Sequence, residues 1–166
     1  MNFNIFISDL AGVDYMDNIK EIENLIPHRG RMNLIDTIVS VDRKQAVARA
    51  TVKESWPLLS GNAVSALVLV ELAAQTAGVC IGWHEKMKTD GPKTKAAGWL
   101  VGIKKAGFYV EKIPVGTCIT TQSEIHLVVD NYKEIIATAS INRKPVAEIY
   151  LQILQKEVQN VAASSA

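Results

Sequence analysis

The chain has 166 residues, of which 48% are hydrophobic, and this is enough for one globular domain with a core that needs no disulfides. The 18 lysine and arginine residues nearly balance the 17 aspartate and glutamate residues, and the formal net charge of +1 gives no broad positive field for nucleic acid. The two cysteines form no C-x-x-C motif and the three histidines no H-E-x-x-H motif, so neither a metal nor another cofactor is predicted. We therefore expect a single domain over 1–166 that binds no nucleic acid.

The two ends of the chain are interpreted as peripheral. The N-terminal segment has no basic n-region and no long apolar run, so the sequence predicts a cytoplasmic protein with reduced thiols. Residues 1–15 mix apolar and polar side chains without a period, and we interpret them as an arm that could pack on a partner chain. Residues 158–166 are small and polar and predict a flexible tail.

The first regular element predicted is a short amphipathic helix over 16–26. Its apolar residues recur at spacings of three and four, and a proline then ends it: Ile19, Ile22, Leu25 and Ile26, followed by Pro27. A loop over 27–31 follows. Alternating runs at 32–42 and 45–53 then predict a β-hairpin.

The most apolar stretch, 64–83, is long enough to raise the question of a transmembrane helix. Glu71 and Gln75 lie near its middle, and a carboxylate in lipid is costly, so we interpret it as a helix surrounded by protein and expect no membrane span. The segment 89–93 interrupts the chain. Alternating runs after it predict an antiparallel meander: 98–110, 117–129, 132–142 and 146–155.

These elements favour an α+β fold. A curved antiparallel sheet wrapped around one long central helix accounts for all of them, and this is the element order of the hotdog fold. Such a sheet has exposed edges, and one helix cannot cover both of its faces. A homodimer in which two sheets pair edge to edge is therefore expected.

Glu71 and Gln75 are the sharpest local indication of a site. They are four residues apart and project from the same face of the predicted helix, among small and aliphatic side chains. Burial there would raise the pKa of the carboxyl and suit it to general acid chemistry. The alternative is that Glu71 pairs with a basic residue of the sheet and holds a dimer interface together.

His28 is the second candidate. It lies in a loop between a helix end and a strand start, next to Arg29, with Gly30 available for a tight turn. A loop histidine can transfer protons near neutral pH, although a turn histidine bonded to backbone is the commoner case. His84 and His126 are interpreted as a solvated helix end and a surface strand position.

Two weaker features complete the set. The segment 60–63, with Gly61 and Asn62, precedes the predicted helix, whose free N–H groups could hold an oxyanion; alternatively Ser60 or Asn62 is only an N-cap. Basic residues could also form a rim that receives an acidic carrier protein or a phosphate, although scattered lysines are usually just solvated: Arg29, Arg31, Lys104, Lys105 and Lys112.

Four segments of the chain carry a family resemblance: 27–36 (PHRGRMNLID), 70–75 (VELAAQ), 98–105 (GWLVGIKK) and 114–116 (PVG). Together they resemble the 3-hydroxyacyl-[acyl-carrier-protein] dehydratases of FabA/FabZ type, and above all their ApeP-type branch. The resemblance implies a hotdog fold and a dimer with active sites at the interface. It also implies a substrate held as a thioester on the phosphopantetheine of an acyl carrier protein or of coenzyme A.

The same resemblance suggests roles for individual residues. FabZ-type enzymes use a loop histidine before the central helix, a carboxylate on that helix and a helix-start amide for the thioester oxygen. The carboxylate corresponds to Glu71 and the amide falls near Ala66. The stretch 55–61 contains no histidine, with Pro57 or Leu58 about where it should be. Either His28 substitutes for it, or the chain is inactive alone.

The resemblance therefore implies dehydration of a 3-hydroxyacyl thioester in fatty-acid or polyene-type biosynthesis. In this hypothesis His28 is the base at the α-carbon, Glu71 is the acid at the leaving hydroxyl, and Gln75 and the Ala66 N–H assist in binding the substrate. One alternative is a hotdog thioesterase, in which a helix carboxylate activates water. The other is a non-catalytic acyl-binding subunit that pairs with an active dehydratase.

Overall fold

The structure is a computed structural model that describes residues 19–88 and 96–157. The predicted arm at 1–15 and tail at 158–166 lie outside the described residues. The elements follow in chain order: α1 Ile19–Leu25, a 3₁₀ turn Gly30–Met32, β1 Thr37–Val41, β2 Gln45–Thr51, β3 Leu59–Ser60, β4 Ala63–Ser65, α2 Val68–Lys88, β5 Ala96–Phe108, β6 Lys112–Pro114, β7 Cys118–Val129, β8 Tyr132–Ile141 and β9 Lys144–Glu157.

The main sheet has six antiparallel strands in the order β1-β2-β7-β8-β9-β5. The predicted hairpin is β1–β2, and the predicted meander is confirmed for β7, β8 and β9. Strand β5 pairs with β9 and not with β7, so β5 and β1 form the two edges. Register shifts in β5 and β7 mark bulges, which bend a sheet and allow it to curve around a helix.

Helix α2 lies on the inner face of this sheet. The alternation in β2 places Ala46, Ala48 and Ala50 on that face, and all three are buried. These small side chains let α2 approach closely, and the hydroxyl of Ser123 on β7 donates a hydrogen bond to the carbonyl of Ala73 on α2 at 3.0 Å. The interpretation of the apolar stretch as a helix within protein is thus confirmed. No helix in the described part of the chain is long and apolar enough to cross a membrane.

The start of α2 differs from the prediction. The helix begins at Val68, because Val64 and Ser65 belong to strand β4, which pairs with β3 and β6 in a second, three-stranded sheet. Residues 61 and 62 form the β3–β4 turn, where Gly61 has the positive φ of 63° that favours glycine. The expectation that Ser60 or Asn62 caps the helix is therefore wrong.

Candidate functional site

The structure brings His28 and Glu71 together within one chain. The Nε2 atom of His28 lies 3.1 Å from the Oε1 atom of Glu71, and each side chain keeps about a third of its surface exposed, 30% and 33%. Glu71 stands on the first turn of α2, and His28 stands in the loop that begins where Pro27 follows α1. An imidazole and a carboxylate at this separation form a pair that can share and move a proton.

Gln75 holds the carboxylate in place. Its side chain is completely buried. Its Nε2 donates to Glu71 Oε1 at 2.8 Å and to the Met32 carbonyl at 2.6 Å, while its Oε1 accepts from the Leu34 N–H at 2.9 Å. Through the bonds to Met32 and Leu34, Gln75 links α2 to the segment that follows the His28 loop. It orients Glu71 from behind and does not reach the surface.

The charge state of Glu71 corrects the sequence-based expectation. The hydrogen bond from His28 lowers the pKa of Glu71 below its ordinary value of 4.5; partial burial opposes this, and the bond from Gln75 and the charge of His28 add to the lowering. The expected rise on burial is therefore outweighed by two donors. At neutral pH Glu71 is a carboxylate, which accepts protons and does not donate them.

The geometry also assigns the proton on the imidazole. A carboxylate oxygen only accepts hydrogen bonds, so Nε2 of His28 carries the hydrogen that points at Glu71. The Nδ1 atom is buried, and none of the described residues bonds to it. His28 is therefore the donor and Glu71 the acceptor in this contact.

The hydrogen bonds to Glu71 leave one of its oxygens open. Among the described residues, both of these bonds end on Oε1. Oε2 is the carboxylate oxygen that these two bonds do not use.

A groove opens beside the start of α2. It has a volume of about 460 Å³ and is lined by Ser65, Ala66, Leu67, Phe108, Tyr109, Val110 and Glu111. Ala66 and Leu67 directly precede Val68, the first residue of α2, so the groove lies next to the helix end that carries Glu71; neither Glu71 nor His28 is among its lining residues. Sequence reasoning missed the β5–β6 side of this groove, because nothing in the alternation of β5 shows which residues will meet a helix end.

The predicted oxyanion contacts are not available as expected. The Ala66 N–H donates to the Glu111 carbonyl at 2.9 Å, so this amide is occupied. The carbonyl of Asn62 accepts from the Val115 N–H at 3.0 Å, and Gly61 lies in the hairpin turn. These groups lie in or next to the small sheet, and these bonds of Ala66 and Asn62 go to neither His28 nor Glu71.

The five residues proposed for the basic rim lie on several separate elements of the chain, with Lys112 at the start of β6. Arg29 bonds to carbonyls of α1, and Arg31 is exposed just before β1. Lys104 and Lys105 lie on β5, at the opposite edge of the main sheet, where they pair with Glu134 at 3.1 Å and Glu148 at 3.4 Å.

Comparison with known proteins identifies the class. A 3-hydroxyacyl-[acyl-carrier-protein] dehydratase FabZ from Chlamydia trachomatis serovar L2 is 29% identical over 137 residues, which cover 78% of this chain and 86% of that protein. A chain of the dehydratase heterocomplex ApeI:P from Xenorhabdus doucetiae superposes with a TM-score of 0.73 at 20% identity, covering 82% of this chain and 91% of that one. A mutant of a hypothetical thioesterase from Streptococcus pneumoniae TIGR4 has the same fold, with a TM-score of 0.57 at 10% identity, covering 73% and 89%.

The fold and these relatives define a hotdog-fold dehydratase of FabZ-like type, a hydro-lyase. The family described as ApeP-like, ApeP dehydratase, matches residues 20–163. The chain belongs to this family. The hotdog fold and the family resemblance predicted from the sequence are thereby confirmed.

Proposed function

We propose that this protein removes water from 3-hydroxyacyl thioesters carried on an acyl carrier protein or on coenzyme A, and that Glu71 and His28 form its catalytic pair. The observation that carries the proposal is the 3.1 Å contact between the His28 imidazole and the Glu71 carboxylate, in a chain of the dehydratase family. The FabZ relatives are named for this substrate class.

The charge state of the pair changes the roles expected from the sequence. Because Glu71 is the carboxylate and His28 already carries its Nε2 proton, Glu71 is the base. Its Oε2 takes the proton from the α-carbon, the α–β double bond forms, and the bond from the β-carbon to the hydroxyl breaks. The same carboxyl then returns that proton to the departing hydroxyl, so that one water leaves and no net proton is gained. His28 keeps its hydrogen bond to Oε1 throughout.

Variants of the pair distinguish this scheme from the one expected from the sequence, in which His28 is the base and Glu71 the acid. Glu71→Gln keeps the size and loses the base, so turnover should fall by about 10²-fold or more. His28→Gln keeps a side-chain donor for Glu71, whereas His28→Leu does not. If His28 only orients the carboxylate, Gln should retain clearly more turnover than Leu. An equal loss of turnover in His28→Gln and His28→Leu would indicate that His28 itself is the base.

The decisive assay for the reaction is the mass of a 3-hydroxyacyl carrier after incubation with the protein. Loss of one water supports dehydration. Release of the free acid supports a thioesterase, the second candidate, which is favoured by the shared fold of the thioesterase neighbour and by a carboxylate able to activate water. An unchanged mass would favour an acyl-binding subunit, consistent with the absence of a histidine at 55–61.

An edge of the main sheet that has no partner strand among residues 19–88 and 96–157 supports an oligomer. Strand β5 is an edge strand of 13 residues, and it exposes the large apolar side chains of Trp99, Val101 and Ile103. Such an edge is a template for another strand, from a second copy or from a related dehydratase subunit, as in the dehydratase heterocomplex ApeI:P of Xenorhabdus doucetiae. Light scattering should give twice the monomer mass, and Val101→Lys should lower it. A monomer at micromolar concentration would contradict a stable homodimer.

A further inference from the structure

The end of α1 and the residue after it pack against α2 at two glycines, Gly78 and Gly82. A Cβ atom built on Gly82 would lie 3.0 Å from the carbonyl carbon and 3.1 Å from the Cα of Leu25, the last residue of α1, and would overlap the Leu25 carbonyl oxygen. At Gly78 it would meet only the Cγ2 atom of Ile26, at 3.1 Å. A methyl group at Gly82 therefore collides with backbone, which cannot rotate away, whereas one at Gly78 meets a side chain.

The end of α1 and the His28 loop are joined by Arg29. Its Nη1 donates to the Ile26 carbonyl at 2.6 Å and to the His28 carbonyl at 2.8 Å, and its Nη2 donates to the Glu23 carbonyl at 2.6 Å. The guanidinium thus binds free carbonyls at the end of the helix and the peptide of His28 at once. Arg29 therefore connects the carbonyls of Glu23 and Ile26, on either side of Leu25, to the peptide of His28.

We propose that Gly82 is a positioning residue for His28, and that the seat of α1 on Gly82, transmitted through Arg29, sets the distance between the imidazole and Glu71. An alanine at Gly82 has to push Leu25 back by roughly 1 Å to restore ordinary contact distances. Under the proposed function, on which the catalytic effect rests, a misplacement of about 1 Å at a reacting group can lower turnover by about 10²-fold.

The test uses the full-length protein and two readouts. The first is the proton on His28 Nε2, followed by NMR of protein with ¹⁵N-labelled histidine. The resonance that disappears in His28→Gln is assigned to this proton. A change of that resonance in Glu71→Leu shows that the proton is hydrogen-bonded to Glu71. In the wild type this proton should be downfield and slow to exchange. Gly82→Ala should lose that signature, while the matched variant Gly78→Ala keeps it. The second readout is turnover, expected to fall about 10²-fold in Gly82→Ala only.

The outcomes separate this inference from the proposed function. A Gly82→Ala protein that keeps both the His28 resonance and its turnover overturns the positioning role. Loss of the resonance in a protein whose wild type shows no dehydration refutes the proposed reaction and leaves the positioning role standing. If Gly82→Ala does not fold, Arg29→Met decides the question, with Arg43→Met as an exposed control on the β1–β2 turn. An unchanged resonance in Arg29→Met overturns the transmission through Arg29.

Discussion

Replacing Gln75 by methionine isolates the buried anchor of the site. Methionine has nearly the same length and volume, so the core stays filled, but it offers no strong donor or acceptor. The substitution removes the bonds of Gln75 to the Met32 carbonyl, to the Leu34 N–H and to the Glu71 carboxylate. It therefore tests whether these polar contacts, and not the packing, stabilise the site.

The size of the effect follows from burial. Leu34 is completely buried, so its N–H finds no water when Gln75 is lost, and the Met32 carbonyl loses its acceptor bond as well. A buried polar group left without a partner costs about 1–3 kcal/mol, so loss of the bond to the Leu34 N–H should lower the free energy of unfolding by that amount. Met32 is 51% exposed, so water can replace the bond to its carbonyl. A loss of this size is measurable against the ~5–15 kcal/mol by which most domains are stable.

The assay is urea unfolding at one fixed protein concentration, because the stability of an oligomer depends on concentration. Gln122→Met is the matched control. Gln122 also makes a side-chain bond, to Gln45 at 2.8 Å, but it is exposed, so its loss should change the free energy by no more than about 0.5 kcal/mol. If Gln75→Met is as mild as the control, the anchor does not stabilise the site and the reasoning from burial fails.

Two further predictions concern the pair itself. The pKa of Glu71 is lowered on folding, so its contribution to stability should be fully present above its ordinary value of 4.5 and be lost as the pH falls through the lower folded value. The difference in melting temperature between wild type and Glu71→Gln should thus be constant at neutral pH and shrink in acid; a difference independent of pH would contradict the lowered pKa. Because both residues belong to one chain, mixed oligomers of Glu71→Gln and His28→Leu should stay inactive, and restored turnover would show that the pair forms between chains.

The sequence predicted the large elements because each has a strong pattern, which is alternation in the long strands and a long apolar run in α2. The apolar stretch became α2, and the alternation in β2 placed its alanines on the buried face. The short strands β3, β4 and β6 were missed, since two or three residues are too few to show a period. They shifted the helix start from 64 to Val68. The pairing of β5 with β9 was also missed, because it joins segments distant in sequence.

The site was predictable only where it depends on one element. The four-residue spacing of Glu71 and Gln75 places them side by side on any helix, and the structure shows them bonded at 2.8 Å. The direction of the Glu71 pKa was predicted wrongly, because it depends on donors that arrive from outside the helix. The Ala66 amide was chosen by resemblance, and its acceptor, the Glu111 carbonyl, lies across the small sheet where no local pattern indicates it.

The placement of the imidazole has a structural consequence. In the stretch 55–61, where the FabZ-type loop histidine would be expected, Leu58 is exposed and its φ is 62°, a strained value for leucine. The imidazole beside Glu71 comes instead from the loop after α1, which is held to α2 at Gly82 and by Arg29. The geometry of the pair is therefore set by the packing of two helices and not by the hairpin that precedes α2. For this reason, substitutions at the α1–α2 contact should disturb the pair more than substitutions at Leu58.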